Sequence, residues 1–197
     1  MRLQSFDYTF PLTTPQLFTT MEWGDFMAIL LILATLLYSS LGSVTVDNFT
    51  VIGNTKGNLI YFIVWTFFIA TYFLLNSKKI CEKFHFTFRY QKLISSYIYF
   101  ACIITPFIPY TEKNVFLDDL HVFLAFSSAT LFLFVWLLLL GHLKNHFPEV
   151  TRKIELPFLL MVHTLGLCLV YFGIINSIIE LIIIISIILL IEFLKKI

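Results

Sequence analysis

The chemistry-bearing residues of this chain concentrate in one stretch, DDLHVFLAFSSATLFLFVWLLLLGHLKNH, from Asp118 to His146, with titratable groups at both ends of an apolar run and none between. At its start, Asp118, Asp119 and His121 put two carboxylates and an imidazole within one helical turn. Such a set can hold a metal, bind a polar lipid headgroup or exchange protons. Glu180, at the start of a later apolar run, is expected to join them at the same end of the molecule. Helix capping competes with that reading: Asp118 suits an N-cap, and Ser177-Ile178-Ile179-Glu180 spells a capping box that would satisfy orphan amides. His121 is harder to assign to a cap, because a helix N-terminus disfavours a cationic ring and leaves a neutral imidazole free to donate or to ligate.

Three further histidines bear on the chemistry. His142 and His146 are four apart, a spacing that zinc sites use on a continuous helix, but Leu143, Lys144 and Asn145 between them lack the glutamate of the metalloprotease motif and include a cation. Capping of helix carbonyls is the competing role for this pair. His163 falls roughly 10 Å into an apolar run counted from Leu156. An ionisable residue at that depth is a functional candidate, against the alternative of a histidine bonded to a Ser or Thr of the neighbouring helix. His121 and His142 would stand ~31 Å apart on one helix, too far to share a haem, and no cofactor is implied. Ser127 and Ser128, between Ala125 and Ala129, read as a close-packing patch whose hydroxyls bridge helices, because neither has a foreseeable base.

The elements that carry these residues follow from composition. Of 197 residues, 59% are hydrophobic and 13% charged; soluble domains run at about 25% charged. The chain is expected to be an all-α, polytopic membrane protein, because only helices satisfy every backbone group in a hydrocarbon core ~30 Å thick. Residues 1–22, interrupted by Pro11 and Pro15, read as a juxtamembrane segment, and 23–197 as a single six-helix transmembrane domain. The expected spans are 24–41, 58–76, 93–109, 118–141, 156–175 and 178–197. Pro157 is placed in the first turn of the fifth, and Pro106 and Pro109 stop or kink the third and leave carbonyls such as those of Cys102 and Thr105 free. Between the first two spans, residues 42–58 are β-branched, Asn- and Gly-rich, which favours strand and turn over helix and a loop long enough to cover a cavity. Asn48-Phe49-Thr50 matches a glycosylation acceptor, a weakly specific tripeptide.

The loops 77–92 and 142–155 are basic, through Lys78, Lys79, Lys83, Arg89 and Lys92 in the first and Lys144, Arg152 and Lys153 in the second. Lys195 and Lys196 end the last span. The positive-inside rule then puts both loops and both termini in the cytoplasm, and the Asp118, His121 and Glu180 end outside. Phe84, Phe86 and Phe88 read as aromatic anchors and His85 as a solvated loop residue. Cys81, Cys102 and Cys168 fall in a cytoplasmic loop and two spans, which offers no disulfide framework. A net charge of +1 without a basic stripe excludes nucleic acid as a partner.

Three segments carry a resemblance: IGNTKGNLIYFIVW at the end of the first outer loop, PFIPY at the end of the third span, and LDDLHVFLAFSSA at the start of the fourth. Together they resemble small bacterial six-helix membrane proteins similar to the DRAM-like membrane family. That resemblance implies a multi-pass protein of the plasma membrane, if bacterial, or of internal membranes, without an agreed catalytic activity. A second resemblance, to alkaline-ceramidase-type hydrolases, implies a zinc site of Asp119, His121 and His163. The chain departs from them in its six spans and in carrying HLKNH in a loop.

The sequence thus favours a non-enzymatic protein that engages membrane lipids or a partner membrane protein through an outward rim of Asp118, Asp119, His121 and Glu180, covered by residues 42–58, with His163 a further binding candidate. The competing readings are a zinc-dependent intramembrane hydrolase and a structural subunit of a membrane complex.

Overall fold

The structure, a computed structural model, describes residues 23–55, 57–110 and 114–197. The juxtamembrane segment expected over 1–22 lies outside them. Seven helices account for nearly all of the described chain, and no strand occurs among the described residues: α1 (Trp23–Ser39), α2 (Phe49–Asn54), α3 (Leu59–Lys83), α4 (Gln91–Ile104), α5 (Val115–His146), α6 (Pro148–Phe172) and α7 (Ser177–Lys196). Four of them, α3, α5, α6 and α7, are long and apolar enough to cross a membrane. The outward side chains agree with that solvent: Ile60, Leu93, Phe126 and Leu167 are each about 70% exposed, a surface that lipid covers at no hydrophobic cost.

Apart from short α2, the helices run up and down the bundle in sequence, and α7 closes the ring against α1. Two packed layers hold it together. At the end where α7 finishes, Ile80, Leu143, Ile154, Ile188, Ile191 and Leu194 are almost fully buried. At the opposite end, Tyr38, Phe49, Ile52 and Phe62 form a smaller cluster with Trp65 against it.

Several helices extend past the expected spans. Beyond Asn76, α3 continues through Lys83 because Ile80 and Cys81 turn inward while Lys78 and Glu82 pair along the exposed face at 3.8 Å. The basic loop expected over 142–155 is helical on both sides of Phe147. Pro148 stands at the start of α6, and Thr151, Ile154 and Phe158 repeat at the spacing of one buried stripe. Pro157 therefore lies inside α6, not in its first turn, and leaves the Lys153 carbonyl without its helical donor. Phe84 and Phe86 pack in the core rather than anchoring in headgroups, while His85 between them is exposed with φ 51.

Residues 42–58 do not form the expected extended loop throughout. They contain α2, one and a half turns whose Phe49, Ile52 and Gly53 face inward. Asn48 caps it by accepting from the Val51 amide at 2.9 Å, so the asparagine of the glycosylation tripeptide serves as an N-cap. Gly53 lies against the Phe62 ring, where a Cβ would have no room. Pro106 stops α4 as expected, through a 3-10 turn at Thr105–Phe107.

Candidate functional site

Of the polar groups singled out at the start of α5 and α7, His121 and Glu180 meet at α2. His121, 2% exposed, uses both ring nitrogens: Nδ1 lies 2.8 Å from the Ile108 carbonyl and Nε2 3.2 Å from the Thr50 hydroxyl. A carbonyl only accepts, so Nδ1 carries the proton, and Nε2 of the neutral ring accepts from Thr50. His121 is therefore a strut joining α5, the end of the α4 turn and α2. Ile108 supplies that carbonyl, whereas the Thr105 carbonyl, expected to be free, accepts from the Ile108 amide at 3.0 Å.

Glu180 holds the other side. Its Oε2 accepts from the Phe49 amide at 2.6 Å, across 131 residues of chain, and so caps α2 rather than its own helix. The capping box expected of Ser177 and Glu180 does not form. Asn176 is the N-cap of α7: its Oδ1 accepts from the Ile179 amide at 3.2 Å, and its Nδ2 donates to the Thr45 carbonyl at 2.9 Å. Ser177 donates through both its amide and its hydroxyl to the Asp47 carbonyl, and the Ile178 amide to that of Val44. The first amides of α7, orphaned in any helix, thus find acceptors in the loop that leads into α2.

α1 and α3 complete the seat. The Tyr38 hydroxyl donates to the Phe49 carbonyl at 2.7 Å, and its ring stacks with Phe62 and Trp65 at 5.8 and 5.2 Å. Trp65 donates to the Thr35 hydroxyl at 3.0 Å. Asp118 is half-buried and Asp119 exposed on the first turns of α5, whose N-cap is Asn114, not Asp118.

No family model, curated protein or solved structure matches this chain. What the site can do rests on its geometry. Among the described residues no group of three or more His, Cys, Asp or Glu side chains is placed to hold a metal, so the set Asp119, His121 and His163 is not assembled. His163 lies away from the cap: it is exposed on α6, and its Nδ1 meets the Leu159 carbonyl of its own helix at 2.7 Å, not a hydroxyl of α5.

The remaining candidates have structural partners. His142 and His146 share a face of the continuous α5, with ring centroids 4.5 Å apart, and His142 Nε2 donates to the Phe84 carbonyl just past the end of α3 at 3.0 Å. The small-residue patch bridges helices as expected. Ser127 bonds the Tyr97 hydroxyl of α4 at 2.6 Å, and Ser128 is buried against Cys102.

The opposite end holds a polar cluster that the sequence did not reveal. Glu192 accepts from the Tyr72 hydroxyl and pairs with Lys195 at 2.6 Å, Lys196 reaches Asp25 of α1 at 2.9 Å, and Lys83 donates to the last carbonyls of α7 at Leu194 and Lys195. Local i,i+3 pairing was foreseeable there. The links from Tyr72, Asp25 and Lys83 were not, since each comes from another helix.

Proposed function

We propose that this is a six-crossing membrane protein, with both ends of the helical domain on the cytoplasmic side, that binds at the rim of its α2-capped end. The ligand has a cationic or hydrogen-bond-donating group, presented by a lipid headgroup or by a partner membrane protein. The lysines and arginines of the α3–α4 and α5–α6 junctions and of the end of α7 lie at the end opposite the cap, which supports that orientation by the positive-inside rule. The shorter α1 and α4 complete the six crossings alongside the four longer helices, and α4 gains length through its 3-10 turn.

The observation that carries the reading is how α2 is held. Glu180 and His121 clamp it from two helices, which fixes a folded cover at the end of an otherwise apolar bundle. Around that cover Asp119, Asn54 and Thr55 face outward. Because His121 and Glu180 are committed to the clamp, the exposed carboxylate of Asp119 is the rim group offered to a ligand.

The test replaces Asp118→Asn and Asp119→Asn together and leaves the clamp intact. Lipids and proteins that co-purify with the full chain from its native membrane are compared by mass spectrometry, with the lipid and protein fractions distinguishing the two sources. Depletion of a specific lipid or protein supports the rim, and an unchanged profile removes it. Cysteine labelling from either side of sealed vesicles tests orientation: residues of the α3–α4 junction should react only from the cytoplasmic side.

A further inference from the structure

We propose that the exposed face of α6 is the contact between two copies of this chain, held by reciprocal hydrogen bonds from Thr164 of each copy to His163 of the other. This goes beyond the rim reading and uses a separate surface.

The first observation is how little of α6 the bundle covers. Its buried residues, Thr151, Ile154 and Phe158, all lie in the first half. In the second half only Met161, Leu165, Cys168 and Phe172 are half-buried, along a single inward stripe. The opposite stripe, Leu156, Leu160, His163, Leu167 and Val170, steps by 4, 3, 4 and 3 residues and is exposed at every position, up to 85% at Val170. A row of this spacing can serve as the a/d seam of a paired helix, and what singles it out from the other exposed rows of α6 is the polar residue it carries.

The second observation is what sits in the middle of the stripe. His163 lies roughly 14 Å along the helix from Phe172, at a depth where polar groups facing lipid are rare. Its Nδ1 donates to the Leu159 carbonyl at 2.7 Å, which leaves Nε2 as a bare acceptor in the neutral ring. Beside it, the exposed Thr164 hydroxyl has no partner among the described residues. One unmet acceptor and one unmet donor stand side by side in hydrocarbon.

A lipid tail answers neither group, whereas a second copy answers both. Two copies inserted in the same orientation pack α6 parallel about a two-fold axis, where contacts are reciprocal. In the 4-3 spacing His163 takes position d and Thr164 position e, and in a parallel pair a d residue packs beside the e residue of the facing helix. Two imidazoles facing each other alone would oppose two acceptors. The neighbouring threonines supply the donors, and interhelical bonds of this kind join membrane helices where apolar packing alone gives no net hydrophobic gain.

The full chain is reconstituted in phosphatidylcholine vesicles over a range of protein dilution, and its stoichiometry is read by single-molecule photobleaching. We expect a dimer that dissociates on dilution, with the His163→Leu/Thr164→Val double variant dissociating at about tenfold higher protein density, equivalent to about 1.4 kcal/mol. In the otherwise unaltered chain, Leu160→Cys and Leu167→Cys should cross-link between copies well above the background of the native cysteines, and Val162→Cys, off the stripe, should not. All these positions are exposed, so the variants retain the bundle. Monomers at every density, as lipid coverage of the stripe would give, overturn the proposal. So do dimers indifferent to the double variant, cross-links favouring position 162, or adducts in native membranes with a different protein alone.

Discussion

Replacing Glu180 by leucine should release α2 while leaving the other six helices in place. In the folded chain Oε2 of Glu180 accepts from the Phe49 amide at 2.6 Å. A buried amide left without an acceptor costs about 1–3 kcal/mol. Taking about 2 kcal/mol for the loss, the undocked population of α2 rises roughly thirtyfold, since each 1.4 kcal/mol is tenfold. Glu180→Gln keeps a carbonyl acceptor for the Phe49 amide, so its effect should be smaller than that of Glu180→Leu. Hydrogen exchange read by mass spectrometry in nanodiscs reports this directly: amides of 49–55 should lose protection in the order wild type, Gln, Leu, while those of α5 and α7 do not change. Unchanged protection of 49–55 in Glu180→Leu would refute the idea that Glu180 holds α2. Equal loss across all helices would refute its local action.

Three other outcomes follow from the same geometry. Gly53→Val should displace α2 through its clash with Phe62, and Phe62→Ala in the same chain should restore part of the exchange protection that Gly53→Val removes. Leu143→Ala, at a fully buried core position, should lower stability by about 2–5 kcal/mol in detergent-based unfolding. Lys196→Ala should cost under about 1 kcal/mol in the same assay, because its pairing with Asp25 is made by a side chain 64% exposed.

The all-α class and the positions of the long helices could be read from the sequence because apolar runs of membrane length have few other uses. Helix ends were harder. Residues 78–83 and 148–156 are polar enough to read as loop, and only the inward turn of Ile80, Ile154 and Thr151 reveals that the bundle core extends past the apolar runs. The helix α2 was hidden for a different reason: its sequence FTVIGN favours strand and turn, and what stabilises it comes from Glu180, Tyr38 and His121, far away in the chain. Glu180 itself could be marked as a candidate, but Ser-x-x-Glu pointed to a local box, and Asn176 one residue earlier took the cap. For His163 the sequence offers its depth but not its facing, because α6 is apolar on nearly every side.

The clamp on α2 also sets an order of events in synthesis. Phe49 leaves the ribosome 131 residues before Glu180, which at about 5–20 residues per second is roughly 7–26 s. Throughout that interval the Phe49 amide has no carboxylate to meet, and the carbonyls of Val44, Thr45 and Asp47 await the first turn of α7. The cap therefore closes only after α7 begins to arrive: α1 to α6 can be in place while this end stands open, and the first turn of α7 shuts it.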